Sequence, residues 1–360
     1  MQYAVTLAQT LMRRYPDADD FPYCSWSYPQ GFMLWGFIRL YEALGEEKYL
    51  NYVLRYCEKH VDEQGNIAGF SGASLDDIMT GSVLVWAWKH TGERRYKLAC
   101  DRVRAAFDDY PRNPDGGFWH SKHLPGEMWV DGLFMGLMFL TRYGAWVGDT
   151  EYCFAETVKQ LNTIFARCEK DNSGLLYHAY SENRWHPWAS FLTGCSPEIW
   201  SEGLGWYAMV LVEVLDLMPA STPGYNSIMM QLHKLLAGLK LVQDGVCGLW
   251  CQVVDRLGMH GNWHDTSGSA MFLYTFRKAR LKGFVGDEYD GVITRAFEGL
   301  KTKYVLDCEG CANILDACDG LGVQLSYDHY IHFMKNINAK EAVAAVLWAC
   351  AAMEHNAVDN

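Results

Sequence analysis

The segment 43-ALGEEKYL-50 decides the fold, because it joins two helical patterns through a single glycine. A glycine directly after a helix supplies the left-handed conformation that ends it, and acidic residues after that glycine suit the N-terminus of a second helix. A connection this short predicts an antiparallel helix hairpin. The same arrangement recurs at three later places: 90-HTGERRYK-97, 146-WVGDTEYC-153 and, more loosely, 284-FVGDEYDG-291.

A second, longer kind of connection alternates with the first. Each example contains Asp or Asn with Gly, followed by a short strand-like run of aromatic and polar residues. The examples are 62-DEQGNIAGF-70, 114-PDGGFWH-120, 171-DNSGLLYHAY-180 and 244-DGVCGLWCQVV-254. Together the two kinds define a repeat of roughly 50 to 70 residues, which is typical of stacked helix pairs, with the longer loops on one binding face.

Apolar periodicity predicts twelve helices in six hairpins. They lie near residues 2–15, 30–44, 48–60, 77–90, 94–108, 129–144, 150–169, 198–217, 225–241, 267–282, 290–304 and 339–355. Six such hairpins favour a closed ring, an all-α (α/α)6 barrel. The chain has no linker rich in Pro, Gly or Ser, so residues 1–360 are predicted to form a single domain.

The composition excludes several classes of partner. The 360 residues carry a net charge of −12 without a basic stripe, so nucleic acid is not expected to bind. The N-terminus is amphipathic rather than a signal peptide, and no apolar run is long enough to span a bilayer. We expect a cytoplasmic protein without a membrane partner, either a monomer or a homodimer. The 14 Trp and 21 Tyr residues suit sugar binding and core packing equally.

The 12 cysteines fit a reducing compartment, as small buried apolar residues. One metal-like spacing occurs, formed by Cys308, Cys311 and Cys318. A structural zinc site needs four ligands, and the sequence offers no clear fourth. We therefore predict neither a metal nor a cofactor.

Polar residues recur where the predicted inner helices begin, just after the long loops. The residues are Tyr28 and Gln30, Asp76 and Asp77, Trp129 and Asp131, Trp200 and Glu202, and His264 with Asp265. Each acidic residue could simply cap its helix. In a closed ring, however, these starts meet at one mouth, which favours an aromatic-walled pocket containing several carboxylates.

Carboxylates in such a pocket point to acid and base chemistry on a carbohydrate. Desolvation is expected to raise the pKa of one carboxyl group, so that it can donate a proton at neutral pH, while another stays ionised. The sequence has no phosphate-binding loop, no dinucleotide fingerprint, no H-E-x-x-H and no G-x-S-x-G elbow.

Five segments carry a resemblance to a known family: 28-YPQG-31, 75-LDDIMTG-81, 129-WVDGLFMG-136, 194-GCSPEIWSEGLGWYAMV-210 and 262-NWHDTSGSAMFLY-274. In this order they resemble the unsaturated rhamnogalacturonyl hydrolases, glycoside hydrolase family 105, which are related to the unsaturated glucuronyl hydrolases of family 88. The resemblance runs from about residue 20 to residue 355, judged by sequence pattern alone.

The resemblance implies an (α/α)6 barrel that removes a terminal 4-deoxy-4,5-unsaturated uronic acid from oligosaccharides left by polysaccharide lyases. It implies that Asp131 is the general acid and base and that Asp76, rather than Asp77, is the second catalytic carboxylate. For Asp131 to act as the acid, we expect its aromatic setting to raise its pKa. The substrate-binding residues that we predict are Tyr28, Gln30, Trp129, His178, Trp200, Glu202, Trp206 and His264.

One position departs from the family pattern. The family commonly has Arg two residues after the stacking Trp, where this chain has Glu202. An ionised Glu there would repel a substrate carboxylate, so another cation, Arg184 or His178, could replace the Arg, or Glu202 could turn away or pair with a local base. Two other functions stay open: a different carbohydrate enzyme on the same barrel, such as an epimerase or an ordinary glycosidase, and a non-catalytic sugar-binding protein.

Overall fold

The computed structural model describes residues 2–22 and 26–354, and in them helices dominate. The helices are α1 Gln2–Arg14, α2 Tyr28–Leu44, α3 Glu47–His60, α4 Leu75–Met79, α5 Gly81–Thr91, α6 Arg94–Ala105, α7 Val130–Trp146, α8 Thr150–Cys168, α9 Ser201–Leu217, α10 Tyr225–Val242, α11 Thr266–Leu281, α12 Asp290–Thr302, α13 Tyr327–Ile331 and α14 Lys340–Glu354. The short strands are β1 Glu127–Trp129, β2 Ala179–Ser181, β3 Tyr304–Leu306, β4 Ala312–Ile314, β5 Ala317–Cys318 and β6 Lys335–Asn336.

Six helical units form an inner ring: α2, the pair α4 and α5, α7, α9, α11 and α14. Each packs against the next, and α14 packs against α2, so the ring closes. The helices α3, α6, α8, α10, α12 and α1 pack outside it. The predicted all-α (α/α)6 barrel is confirmed.

The sequence patterns explain which helices lie inside. Helix α7 is buried along nearly its whole length, because its sequence VDGLFMGLMFLTRYGAW is apolar on every side. Helix α3 is amphipathic and buries one face, which contains Tyr49, Tyr52, Val53 and Tyr56. Among the helices that the structure describes, none combines the length and the apolar character needed to cross a bilayer.

The helix predicted over 77–90 is wrong in one respect, since the structure divides it into α4 and α5 at Thr80. The Thr80 hydroxyl donates to the Ser27 carbonyl at 2.6 Å, which ties the break to the chain entering α2. A Cβ atom at Gly31 would lie 2.6 Å from Met79 Sδ and 2.9 Å from Thr80 Cα, so only glycine permits this crossing. The short helix α13 was not predicted.

Short strand pairs organise the long loops at the end where the inner helices begin. Strand β1 pairs antiparallel with β2, placing Trp129 opposite Ala179. Because α7 begins directly after β1, this pairing fixes the position of Asp131 relative to the His178 loop.

A cluster of buried charges lies towards the other end of the barrel. Glu213 on α9 is 1% exposed and accepts hydrogen bonds from Arg39, Arg142 and Lys278. A cavity of about 610 Å³ lies beside this cluster. Arg142 follows Asp131 by eleven residues on α7, a rise of about 16 Å, so this cavity is not the predicted site.

We predict that Glu213→Gln lowers the free energy of unfolding by about 3 kcal/mol or more, since it leaves three cations without their shared carboxylate. Burial by itself would raise the pKa of Glu213, but Arg39, Lys278 and Arg142 hold it well below its usual range. The stabilisation is therefore present above the ordinary pKa of glutamate and is lost as the pH falls towards the depressed value. Urea unfolding at neutral and acidic pH measures both effects.

Glu42→Gln is the matched control, because Glu42 also pairs with Arg39, at 3.3 Å, but its side chain is 45% exposed. Its substitution should change the stability by well under about 1 kcal/mol. Equal losses in the two variants would contradict this account of the cluster.

Candidate active site

Asp131 lies in the first turn of α7 and is 7% exposed. Its Oδ1 atom is 3.4 Å from His178 Nε2. Both atoms are buried, and within the described residues neither has a well-aligned hydrogen-bond partner. A carboxylate and an imidazole that face each other at this distance can both exchange protons with a third group placed between them.

Other residues hold the His178 ring in this orientation. Its Nδ1 atom is 2.9 Å from the Tyr330 hydroxyl on α13, and the ring packs against Trp200 at 4.6 Å between centroids. The Tyr330 hydroxyl also accepts from the Gln324 backbone N–H at 3.3 Å, which fixes its own position. These contacts hold the Nε2 atom of His178 towards Asp131.

The expectation that the aromatic setting raises the pKa of Asp131 is wrong. Burial does act to raise it, but the charges of His178 and His120 outweigh burial and hold the pKa of Asp131 below its ordinary value. The carboxyl group is therefore ionised at neutral pH in the free protein. The two imidazoles, His178 and His120, come from other segments of the chain, so the sequence around Asp131 does not reveal this effect.

A second imidazole pairs with the second predicted carboxylate. His120 Nε2 is 3.5 Å from Asp76 Oδ2, and the ring stacks on Trp129 with 4.3 Å between centroids. Burial acts to lower the pKa of His120, but Asp76, Asp131 and Glu127 raise it above its ordinary value. The sequence places His120 in a loop of the binding face, but we assigned it no role. Its position follows from contacts between distant segments.

The glycine after Asp131 is needed for this arrangement. A Cβ atom at Gly132 would lie 2.9 Å from His120 Nδ1 and 3.0 Å from Leu75 Cδ1. Any larger residue would push the imidazole away from the start of α7. The D-G pair of the sequence is thus explained by close packing of His120 against the backbone.

The structure also separates the two neighbouring aspartates of α4. Asp76 faces His120, whereas Asp77 accepts a hydrogen bond from the Ser71 hydroxyl. Burial raises the pKa of Asp77. This geometry supports the choice of Asp76 for the site.

Glu202 turns inward at the start of α9 and is 1% exposed. It accepts a hydrogen bond of 2.8 Å from the Ser267 hydroxyl. Burial, together with the charges of Glu341 and Asp265, raises the pKa of Glu202 well above its ordinary value. In its protonated form Glu202 would not repel an anionic ligand.

Tyr28 and Glu341 lie beside Glu202 and join the first and last inner helices. The Tyr28 hydroxyl donates to Glu341 Oε1 at 2.5 Å, and Lys340 Nζ lies 2.6 Å from the same oxygen. The charge of Asp76 also acts on Tyr28. These contacts bring the starts of α2, α4, α9 and α14 together at one end of the ring.

Other predicted residues have different surroundings. Gln30 is fully buried and donates to the Phe21 carbonyl at 2.8 Å, and Trp206 packs in the core between Phe32 and Phe134. The role of both in substrate binding stays a prediction.

Three further polar residues are tied into loops and caps. His264 Nε2 is 2.8 Å from Asp244, outside the Asp131 group. Asp265 caps α11, since it accepts from the Ser267 and Gly268 backbone N–H groups. Arg184, proposed as a replacement cation, donates instead to the Phe191 carbonyl at 3.2 Å.

We predict that Asp76→Asn lowers the pKa of His120, because Asp76 is the leading group that raises it. The measurement is an NMR titration of the imidazole resonances. Asp77→Asn is the control, since Asp77 faces Ser71 and should leave the His120 titration unchanged. An unchanged titration in Asp76→Asn would show that the two side chains do not interact.

Comparisons with known proteins agree with this barrel. The model of Glycosyl Hydrolase Family 88 matches residues 3–357. Protein Atu3128 of Agrobacterium fabrum is 35% identical over 185 residues, which are 50% of this chain and 78% of that protein. Unsaturated rhamnogalacturonyl hydrolase YesR of Bacillus subtilis is 24% identical over 264 residues, which are 72% of this chain and 73% of that protein.

A solved structure of a family 105 glycoside hydrolase from C. acetobutylicum is also similar. Its TM-score is 0.93 at 27% identity, and the match covers 98% of this chain and 99% of that one. The resemblance inferred from the five sequence segments is confirmed. The chain belongs to Glycosyl Hydrolase Family 88, is related in structure to family 105, and is a glycoside hydrolase.

Proposed function

We propose that this glycoside hydrolase removes a terminal 4-deoxy-4,5-unsaturated uronic acid from oligosaccharides by hydrating the C4=C5 double bond. The observation that carries the proposal is the contact of 3.4 Å between Asp131 and His178, whose ring packs against Trp129 and Trp200. The name of the Bacillus subtilis relative supports the same substrate class. The aromatic walls suit the apolar face of a sugar ring.

The first step is transfer of a proton to C4. In the free protein Asp131 is ionised, so the proton must reach it once the substrate is bound. The substrate carboxylate adds a negative charge to the pocket, which raises the pKa of Asp131. Asp131 then takes up one proton from the solvent and passes it to C4. The electron pair of the double bond forms the new C4–H bond, and the ring oxygen stabilises the cation at C5.

The second step is addition of water. Asp131, ionised again, accepts a proton from the water that attacks C5, and a hemiketal forms. The C5 hemiketal then opens, breaking the bond from C5 to the ring oxygen and forming a ketone. The resulting hemiacetal at C1 loses the rest of the oligosaccharide as an alcohol. Atoms balance with one water consumed, and no cofactor enters the scheme.

His120 and Asp76 act on this cycle through charge. Asp76 raises the pKa of His120, and the protonated imidazole in turn lowers the pKa of Asp131. Asp76 also holds the imidazole against Trp129, the aromatic wall. We propose Asp76 as the second catalytic carboxylate in this sense, as a group that sets the charge of the acid.

Glu202 explains how a uronate can enter a pocket with many carboxyl groups. Burial and the neighbouring carboxylates raise the pKa of Glu202, and in its protonated form it can donate a hydrogen bond to a carboxylate. The Arg that is common in the family would bind the substrate carboxylate by charge. We propose that Glu202 of this chain binds that carboxylate by a hydrogen bond.

Asp131→Asn should lower kcat by at least about 100-fold, because the amide can neither donate a proton to C4 nor accept one from water. The assay follows the ultraviolet absorbance of the C4=C5 bond in a panel of unsaturated disaccharides made by lyases. Asp77→Asn is the matched control and should keep activity near that of the wild type. Full activity in Asp131→Asn, on the substrate that the wild type consumes, would end the assignment.

Glu202→Gln should keep kcat/KM within about threefold of the wild type, since an amide is neutral, similar in shape and a hydrogen-bond donor. Glu202→Ala removes that donor and should raise KM. A loss of 100-fold in Glu202→Gln would instead mean that Glu202 works as an ionised group.

A further inference from the structure

A group of metal-binding side chains lies in the loop between α10 and α11, apart from the Asp131 pocket. Asp244, Cys247 and His264 each offer one ligand atom, and these atoms all lie within 4.8 Å of one another. All three residues are partly exposed, so an ion can reach them from solvent. The side chains of Asp131, His178 and His120 are, by contrast, almost fully buried.

We propose that Asp244, Cys247 and His264 bind one Zn²⁺ ion, with water as the fourth ligand. Zinc takes thiolate sulfur at about 2.3 Å and imidazole nitrogen or carboxylate oxygen at about 2.0–2.2 Å, in a tetrahedron. Ligand atoms in such a tetrahedron are separated by roughly 3.3–3.8 Å, which the observed group reaches with small side-chain movements. The mixture of sulfur, nitrogen and oxygen ligands favours zinc over magnesium or calcium.

The local backbone already orients these ligands. One oxygen of Asp244, Oδ1, is fixed by the turn, because it accepts from the backbone N–H groups of Val246 at 2.7 Å and Cys247 at 3.4 Å. The other oxygen, Oδ2, is 2.8 Å from His264 Nε2. A zinc ion would replace the hydrogen bond between Asp244 and His264. It would bind Asp244 Oδ2, His264 Nε2 and the Cys247 thiolate together.

The position of the site gives the ion a structural effect. His264 pairs with Cys251 in an isolated β-bridge and precedes Asp265, the cap of α11. Asp265 also accepts from Ser201 at the start of α9 and from the Cys318 backbone N–H at 3.0 Å. Zinc bound here would therefore fix the loop that follows α10. That loop would then be held against the region where the starts of α9 and α11 meet.

The alternative is an ordinary hydrogen bond between Asp244 and His264 with an uninvolved thiol. Cobalt separates the two, because a thiolate bound to Co²⁺ produces a charge-transfer absorption that a bystander thiol does not. The experiment uses the full chain, stripped with a chelator and kept reduced, and titrates it with Co²⁺ and then with Zn²⁺ in competition.

We expect one equivalent of Co²⁺ to bind with the thiolate band and Zn²⁺ to displace it. Cys247→Ser should abolish the band, and His264→Ala should weaken Zn²⁺ binding by at least about 100-fold, more than loss of an outer-shell partner. Cys308→Ser, at an exposed cysteine elsewhere, is the matched control and should change neither. No band in the wild type, or a band that survives in Cys247→Ser, would overturn the proposal.

Discussion

Closure of the inner ring between α2 and α14 is the constraint on which the site depends. The first and last inner helices meet through two hydrogen bonds: the Tyr28 hydroxyl donates to Glu341 at 2.5 Å, and the Trp348 indole donates to the Phe32 carbonyl at 2.8 Å. Because the ring closes, all six inner units begin at the same end. Carboxyl groups and imidazoles that are far apart in sequence therefore share one pocket, where each changes the protonation of the others.

Two carboxyl groups at this end of the barrel have pKa values shifted in opposite directions. Burial acts to raise both, but two imidazoles lower the pKa of Asp131, whereas neighbouring carboxylates raise that of Glu202 further. Such a division lets one site combine a base with a hydrogen-bond donor. In the mechanism that we propose, the proton for C4 therefore comes to Asp131 after the substrate binds.

The sequence predicts the barrel because its signals are local. Gly45 and Gly92 have φ values of 66° and 70°, as the helix-ending role requires, while in 146–153 the left-handed residue is Asp149 rather than Gly148. The sequence also picks out Asp131 and Asp76. It does not show the break at Thr80, the helix that carries Tyr330, or the sign of the pKa shift at Asp131. Each of these depends on a contact between segments that are distant in the chain.

The most direct test of hydration is to run the reaction in D₂O with an unsaturated disaccharide and to read C4 of the first product by NMR at early times. The account predicts one deuteron on a single face of C4, appearing together with the released sugar and with loss of the C4=C5 absorbance. An ordinary glycosidase would release a sugar that still contains the C4=C5 bond before the absorbance falls. Accumulation of that intermediate would contradict the role given to Asp131.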